Sequence, residues 1–403
     1  MSNSAAPHLL PVFARSDLGF ERGEGCWLIA TNGDRYLDFT SGIAVNALGH
    51  GHPHLAKAIA DQAAKLIHVS NLYRIPEGEK LATRLCEASF ADYAFFANSG
   101  AEAMEGVIKL ARKYHAAKGK PERYRIVTFE GAFHGRTLAT LAAGSNEKYL
   151  EGFGPRVEGF DRVPLGDLDA VKKAIGPDTA AILIEPLQGE GGVRMAPQSF
   201  FKALRDLCDE HDMLLCFDEV QTGMGRTGEL FGYQKTGVVP DVMALAKAMG
   251  AGFPMGAFLA TAKAASGMTP GTHGSTFGGN LLAMAAGNAT LDVMLAPGFL
   301  DNVKRMSLLL KQKLASICDR FPDVLSEVRG EGLLIGIKAV VPAGDFINAL
   351  RAEKMLAVGA GENVVRLLPP LIINESEIAE GVARIEQACA ALSQNGEQRK
   401  VAQ

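Results

Sequence analysis

Between residues 93 and 261 the chain carries the short apolar runs YAFFA, RIVTF, AAILIEP, LLCFDE, VMAL and GAFLAT, separated by longer helical or loop stretches. A strand buried on both faces reads as a continuous apolar run, and parallel strands need crossovers between them. The pattern therefore predicts a mostly parallel sheet covered by helices, an α/β layer fold. Ligands in such sheets sit at the carboxyl ends of the strands. The residues that follow each run are where chemistry is expected.

The flanks suggest a second, smaller unit. Early in the chain, CWLIATNGDRYLDF places two extended runs around Asn32-Gly33, a hairpin signal. After residue 290 the pattern turns to helix, strand and helix, ending in a helix that Asn374 caps with Glu377. Ile378, Val382, Ile385, Cys389 and Leu392 give that helix one apolar stripe, and the polar tail SQNGEQRKVAQ is expected to fray. The expected plan is an N-terminal arm and hairpin over 1–50, a large α/β domain over 51–290, and a C-terminal part over 291–403. The first and last together form a smaller α+β domain.

The 403 residues carry a net charge of −4, which gives no sign of nucleic-acid or anionic-membrane binding. No apolar stretch is long enough to span a bilayer, and the first residues lack a basic start and an apolar core, so neither a span nor a signal peptide is expected. The six cysteines are scattered in apolar-patterned segments and predict core thiols in a reducing cytoplasm, with no metal site.

Each strand end admits both a chemical and a bland meaning. After YAFFA, Ser99, Gly100 and Ala101 open a helix whose free amides suit a phosphate, although an ordinary serine cap has the same appearance. After RIVTF come Phe133, His134 and Arg136: the aromatic could stack on a planar ring and the arginine could clamp a carboxylate. A core phenylalanine and a solvated arginine would look alike. Glu185 ends the AAILI run and Glu190 sits among glycines. Asp218 closes a fully apolar strand, where a carboxylate needs a positive partner, either an internal arginine or the protonated ring nitrogen of a bound cofactor. Ser275 and Thr276 lie in another glycine-rich loop, and Arg366 stands in an extended apolar run that calls for an anion.

Lys247 is the single cationic side chain in PDVMALAKAMGAGFPMGA. An apolar setting favours its free amine, a nucleophile for carbonyls, but a lysine can also snorkel to water. The segment alone admits both. Gly223, Gly225 and Gly228 match G-x-G-x-x-G, so a nicotinamide dehydrogenase is a rival reading. The motif's context fails: DEVQ intervenes after the strand, and ELFGYQKTGVVP is too broken for the required crossover helix.

A pyridoxal-phosphate enzyme has a use for all of these parts, with the lysine as its Schiff-base group and the aspartate on its pyridinium nitrogen. The stretches LDFTSGIAVNALGHGHP, NSGAEAMEGVIKLARKY, FHGRT, EPLQGEGG, FDEVQTGMGRTG, PDVMALAKAMGAGFPMGA and HGSTFGGN resemble the class III, fold-type I aminotransferases over about residues 19–392. The resemblance implies pyridoxal 5'-phosphate held on Lys247, with Asp218 on the ring nitrogen, Gln221 on the ring hydroxyl, and Val220 and Phe133 on the two ring faces. It implies Ser99, Gly100 and Ala101 at the phosphate, together with Thr276 from the other subunit of a homodimer. Arg136 and Ser275 would contact the substrate, and Arg366 would take the α-carboxylate of glutamate or 2-oxoglutarate, with Glu190 neutralising it meanwhile. The implied reaction moves the terminal amino group of N-acetylornithine to 2-oxoglutarate. Succinylornithine, ornithine or 4-aminobutyrate are the alternative donors, and an aminomutase is the rival within the family. Met104 and Leu281 depart from the family pattern near two helix starts.

Overall fold

The computed structural model describes residues 8–401, of which 395–401 are described by backbone alone. The outermost ends of the expected arm and tail, 1–7 and 402–403, lie outside the described residues.

A seven-stranded sheet forms the centre, in the spatial order 93–97, 256–260, 242–245, 214–218, 179–184, 125–129, 160–163. Its strands run parallel except Gly256–Ala260, which pairs antiparallel with both neighbours. The apolar runs all become strands; Thr179–Ile184, Leu214–Asp218 and Val242–Leu245 are buried at every residue, which is why they lack alternation. Phe160–Val163 was not expected, because an edge strand keeps polar Asp161 and Arg162 half exposed and so hides the apolar signal.

The helix Gly100–Ala117 lies across the sheet and buries Ala103, Met104, Val107, Leu110, Ala111 and Tyr114 against it. A side chain at Gly106 would run into the Phe258 ring, so this glycine sets the close approach of helix to strand. Met104 therefore packs into the core without disturbing the helix start, and Leu281 begins the helix Leu281–Met294, which Asn280 caps through the Ala283 amide.

Two smaller four-stranded sheets stand beside the centre. In one, the hairpin Trp27–Ala30 and Arg35–Asp38 joins Phe20–Glu24 and pairs with Met355–Leu356 from the far end of the chain. In the other, Leu325–Glu331, Leu334–Ala339, Val364–Leu367 and Val358–Ala360 form an antiparallel layer that carries Arg366. More strands occur here than the sequence reading expected. The final helix has the expected capping box, with Asn374 accepting from the Glu377 amide and Glu377 from the Asn374 amide. It continues to Val401, beyond the expected fraying point, because no proline interrupts it and its two internal glycines, Gly381 and Gly396, cost only about 1 kcal/mol each. Among the described residues no single helix is long and apolar enough to cross a membrane.

Candidate active site

The carboxyl ends of the central strands open into a cavity of about 390 Å³ lined by Ser99, Gly100, Ala101, Phe133, Arg136, Glu185, Asp218, Val220, Gln221 and Lys247, among others. Residues from five separate apolar-run segments thus meet at one place. The 3₁₀ turn Lys247–Met249 starts with Lys247 at φ 44°, a left-handed conformation that a lysine adopts at a cost of about 1–2 kcal/mol. Its surroundings explain its electrostatics. Loss of water around the amine, with Arg366 acting in the same sense, holds its pKa below the ordinary lysine value, although Glu190, Asp218 and Glu185 pull the other way.

Asp218 sits at its strand's end and is 4% exposed. Its partner within the chain is a histidine, not the arginine the sequence suggested as the internal alternative. His134 Nδ1 lies 2.7 Å from Asp218 Oδ2, and the Val220 amide donates to Oδ1 at 3.0 Å. Burial alone would lower the His134 pKa, but the hydrogen bond and charge of Asp218 and the charge of Glu185 raise it overall. Glu185 is pushed up to about 7 by burial and by the nearby Asp218 charge. Its two oxygens accept from the Phe133 amide at 3.0 Å and the Gly189 amide at 3.2 Å, tying together the loops after two strands.

Ser99 caps the helix Gly100–Ala117 by accepting from the Glu102 amide. First-turn amides of a helix lack intrahelical partners, so this end faces the cavity with donors. A Cβ on Gly100 would lie 2.8 Å from Val220 Cγ1, so the cradle is closed to any side chain. A Cβ on Gly189 would collide with Gln221. These features fit pyridoxal phosphate: a donor-rich cradle without side chains, a buried carboxylate for a cationic ring, and a desolvated amine in one enclosure.

Arg366 is 1% exposed and does not line the cavity itself. It stands behind Gln221, whose Oε1 accepts from Nη1 at 3.1 Å, while Nη2 pairs with Glu190 at 2.8 Å. Ser275 and Thr276 are not brought in. The Ser275 hydroxyl accepts from Asn98 and from the Gly278 amide, and Thr276 is exposed and outside the cavity of its own chain.

Sequence reasoning missed the partner role of His134, and it missed Val45. Val45 lines the cavity from a turn in which Ser41, Gly42, Ile43 and Ala44 all have φ between 47° and 66°. Asp38 holds this left-handed turn: Oδ1 accepts from the Thr40 and Ser41 amides at 2.9 and 3.0 Å, and Oδ2 meets His50 at 2.8 Å. With one glycine in the four, nothing in the composition of the turn announces it.

The family model for class-III aminotransferases matches residues 13–389. The chain is 74% identical to acetylornithine aminotransferase 1 of Bradyrhizobium diazoefficiens, covering 99% of this chain and 98% of that protein. It is 63% identical to the acetylornithine aminotransferase of Agrobacterium fabrum, with both chains fully covered. Among solved structures, the ornithine aminotransferase of Toxoplasma gondii superposes with a TM-score of 0.92 at 29% identity, over 96% of this chain and 94% of that one.

Proposed function

The chain belongs to the class-III aminotransferases, and from that premise we propose that it moves the terminal amino group of N-acetylornithine to 2-oxoglutarate, giving N-acetylglutamate semialdehyde and glutamate. It is a pyridoxal-phosphate-dependent transaminase. The names its relatives carry support the donor. The chemistry is supported by one observation: Lys247, with its lowered pKa, shares an enclosure with Asp218, and a buried arginine paired with the partly exposed Glu190 stands behind it.

Pyridoxal phosphate, when bound, supplies a carbonyl that takes up amines and a ring that draws electrons from the adjacent carbon. Lys247 Nζ would hold it and, once free, would be the base that takes the proton from the substrate carbon and gives it back. A free amine is needed for both tasks, and the dry wall around Lys247 favours that form. Asp218, steadied by His134, would keep its ring nitrogen protonated. Phe133 and Val220 would hold its ring, and Gln221 would donate or accept at its hydroxyl. Ser99, Gly100 and Ala101 would hold its phosphate, joined by Thr276 of the partner subunit, so that the functional unit would be a homodimer. Arg136, with Ser275 of either subunit, contacts the distal end of the substrate. The chain divides into a large domain over 51–290 and a small one built from 1–50 and 291–403; the pairing of Leu37 with Met355 fits that division. The setting is the cytoplasm, and the pathway role is arginine biosynthesis.

Arg366 and Glu190 solve a two-substrate problem. N-acetylornithine presents its amine far from its carboxylate, so no anion lies beside the reacting carbon. Glutamate has one there. A buried, unpaired guanidinium would be costly in the first half-reaction. Glu190 neutralises it then and swings away when the α-carboxylate arrives.

The test is purified protein with 2-oxoglutarate and a panel of ω-amino donors, read as glutamate formed. N-acetylornithine should give the highest kcat/KM. A higher value for succinylornithine, ornithine or 4-aminobutyrate would move the donor assignment to that compound.

A further inference from the structure

Arg136 faces the cavity that holds Lys247, is exposed, and among the described residues pairs with no carboxylate. It is nevertheless not loose. Its guanidinium carbon lies 3.6 Å from the centre of the Tyr149 ring and 5.8 Å from that of Phe133. The two rings meet edge to face, with centroids 6.3 Å apart. Phe133 lines both the inner cavity and an outer one, of about 830 Å³, that also has Tyr149, Glu190, Arg194 and Glu362 in its wall. Arg136 therefore lies at the boundary between the two spaces.

Tyr149 is itself fixed. It ends a 3₁₀ turn, Glu147–Tyr149, that Asn146 caps through the Lys148 amide. The preceding Ser145 accepts from the Gly131 amide at 2.8 Å and donates its own amide to Ala132 O, on the same loop that leads to Phe133 and Arg136. Arg162 also holds the turn, donating to Ser145 O and to Glu147. The ring is thus anchored to the backbone that carries the arginine it faces.

We propose that Tyr149 is a positioning residue for substrate: its ring face holds Arg136 in one orientation at the boundary of the two cavities, so that the distal carboxylate of either substrate is received at a set distance from Lys247. The proposal rests on the reading of Arg136 given above and adds the group that orients it. An exposed arginine loses substantial rotamer freedom when it binds a ligand. A ring that orders the guanidinium beforehand reduces that loss, as preorganisation does in binding generally. The same ring leaves the guanidinium edge, with its forked donors, free for a carboxylate.

The test compares Tyr149→Leu, Tyr149→Phe, Arg136→Ala and the Arg136→Ala/Tyr149→Leu double variant in the cofactor-loaded enzyme. The readouts are KM and kcat for N-acetylornithine and the inhibition constant of glutarate, a dicarboxylate with no amine. Tyr149→Leu should raise KM and the glutarate constant about two- to fivefold, the range for one lost cation–π contact at an exposed site. It should leave kcat within about twofold, because the reacting atoms are not touched. Tyr149→Phe keeps the ring and should behave as wild type. In the Arg136→Ala background, Tyr149→Leu should add nothing. A silent Tyr149→Leu beside a damaging Arg136→Ala would overturn the positioning role alone. Additive losses in the double variant, or equal damage from Tyr149→Phe, would overturn it as well. A silent Arg136→Ala would overturn the reading of Arg136 and this proposal with it.

Discussion

Removing the charge at Glu190 should separate the two halves of the reaction. Glu190→Gln keeps the side chain's size and one acceptor oxygen but deletes the anion facing Arg366. The pair is 2.8 Å apart, with Arg366 1% and Glu190 31% exposed. At that distance the bare attraction at an effective dielectric of 20 is about 6 kcal/mol. Desolvation of both ions, and the water that reaches the exposed third of Glu190, cut the net pairing to about 1.5–3 kcal/mol. Glutamate must displace Glu190 to place its α-carboxylate on Arg366, so wild-type affinity for glutamate is lowered by that amount. The variant should therefore bind glutamate about 10- to 150-fold more tightly. N-acetylornithine, which brings no carboxylate to that place, should gain nothing and should lose where the uncovered cation now faces its apolar chain. Arg366 keeps Gln221 Oε1 and the Gly359 carbonyl, so the protein should still fold. Stopped-flow single turnovers, started separately with glutamate and with N-acetylornithine, measure the two halves. Arg366→Ala is the companion and should damage the glutamate half far more than the donor half. Unchanged glutamate affinity in Glu190→Gln, or equal losses in both halves for Arg366→Ala, would refute the gate and leave Arg366 a structural cation.

Lys247→Ala should abolish turnover by several orders of magnitude, and borohydride should trap the cofactor on Lys247 of the wild type; capture on another lysine sinks the assignment. The same lysine makes a stability prediction. Its folded pKa is below the unfolded value, so the charged form is penalised only in the fold, and the penalty is absent above about pH 10.5 and grows as pH falls through the window beneath it. Cofactor-free Lys247→Met should therefore melt higher than wild type at pH 7, with the gain shrinking toward pH 10.5; a loss of Tm at pH 7 would contradict the desolvation argument. Asp218→Asn should retain the cofactor yet lower kcat far more than KM, and turnover within about tenfold of wild type, roughly 1.4 kcal/mol, would remove its role. Thr276→Ala should weaken cofactor retention, and mixing it with Lys247→Ala should restore some activity, since each mixed dimer has one site free of both lesions; no recovery after proven subunit exchange counts against a shared site. Gly100→Ala puts a methyl 2.8 Å from Val220 Cγ1, an overpacking of about 1–3 kcal/mol, and cofactor dissociation measured by absorbance should rise about 5- to 150-fold; wild-type retention would mean that the cradle is roomier than its geometry implies.

The apolar runs and the residues at their ends were legible because a buried parallel strand carries its signal locally, and chemistry collects where such strands stop. Strand direction was not legible, since an apolar run reads the same either way; hence the reversed Gly256–Ala260. His134 stood in plain view beside Phe133, but its partner is 84 residues away, and one sequence gives no sign of which acid it will meet. The left-handed turn at 41–44 depends on Asp38 and His50 to hold strained residues, which is a tertiary cause. Arg226 is the sharpest case. In the sequence it belonged to a glycine motif, GMGRTG, set aside as a false match. In the fold its guanidinium is fully buried and pairs with no carboxylate among the described residues, and burial pulls its pKa down to about 9. It donates to the carbonyls of Leu333 and Pro369, and its own carbonyl accepts from the Leu333 amide. Leu334–Ala339 is the strand that pairs with the one carrying Arg366, and Pro369 lies three residues beyond that arginine. A buried cation of which only Nη1 reaches carbonyl partners, with Nε and Nη2 unpaired among the described residues, is an expensive tie. What it joins is the loop after Asp218 and the layer that brings Arg366 to Gln221, so the segment dismissed as a nucleotide motif is where the two halves of the site are fastened together.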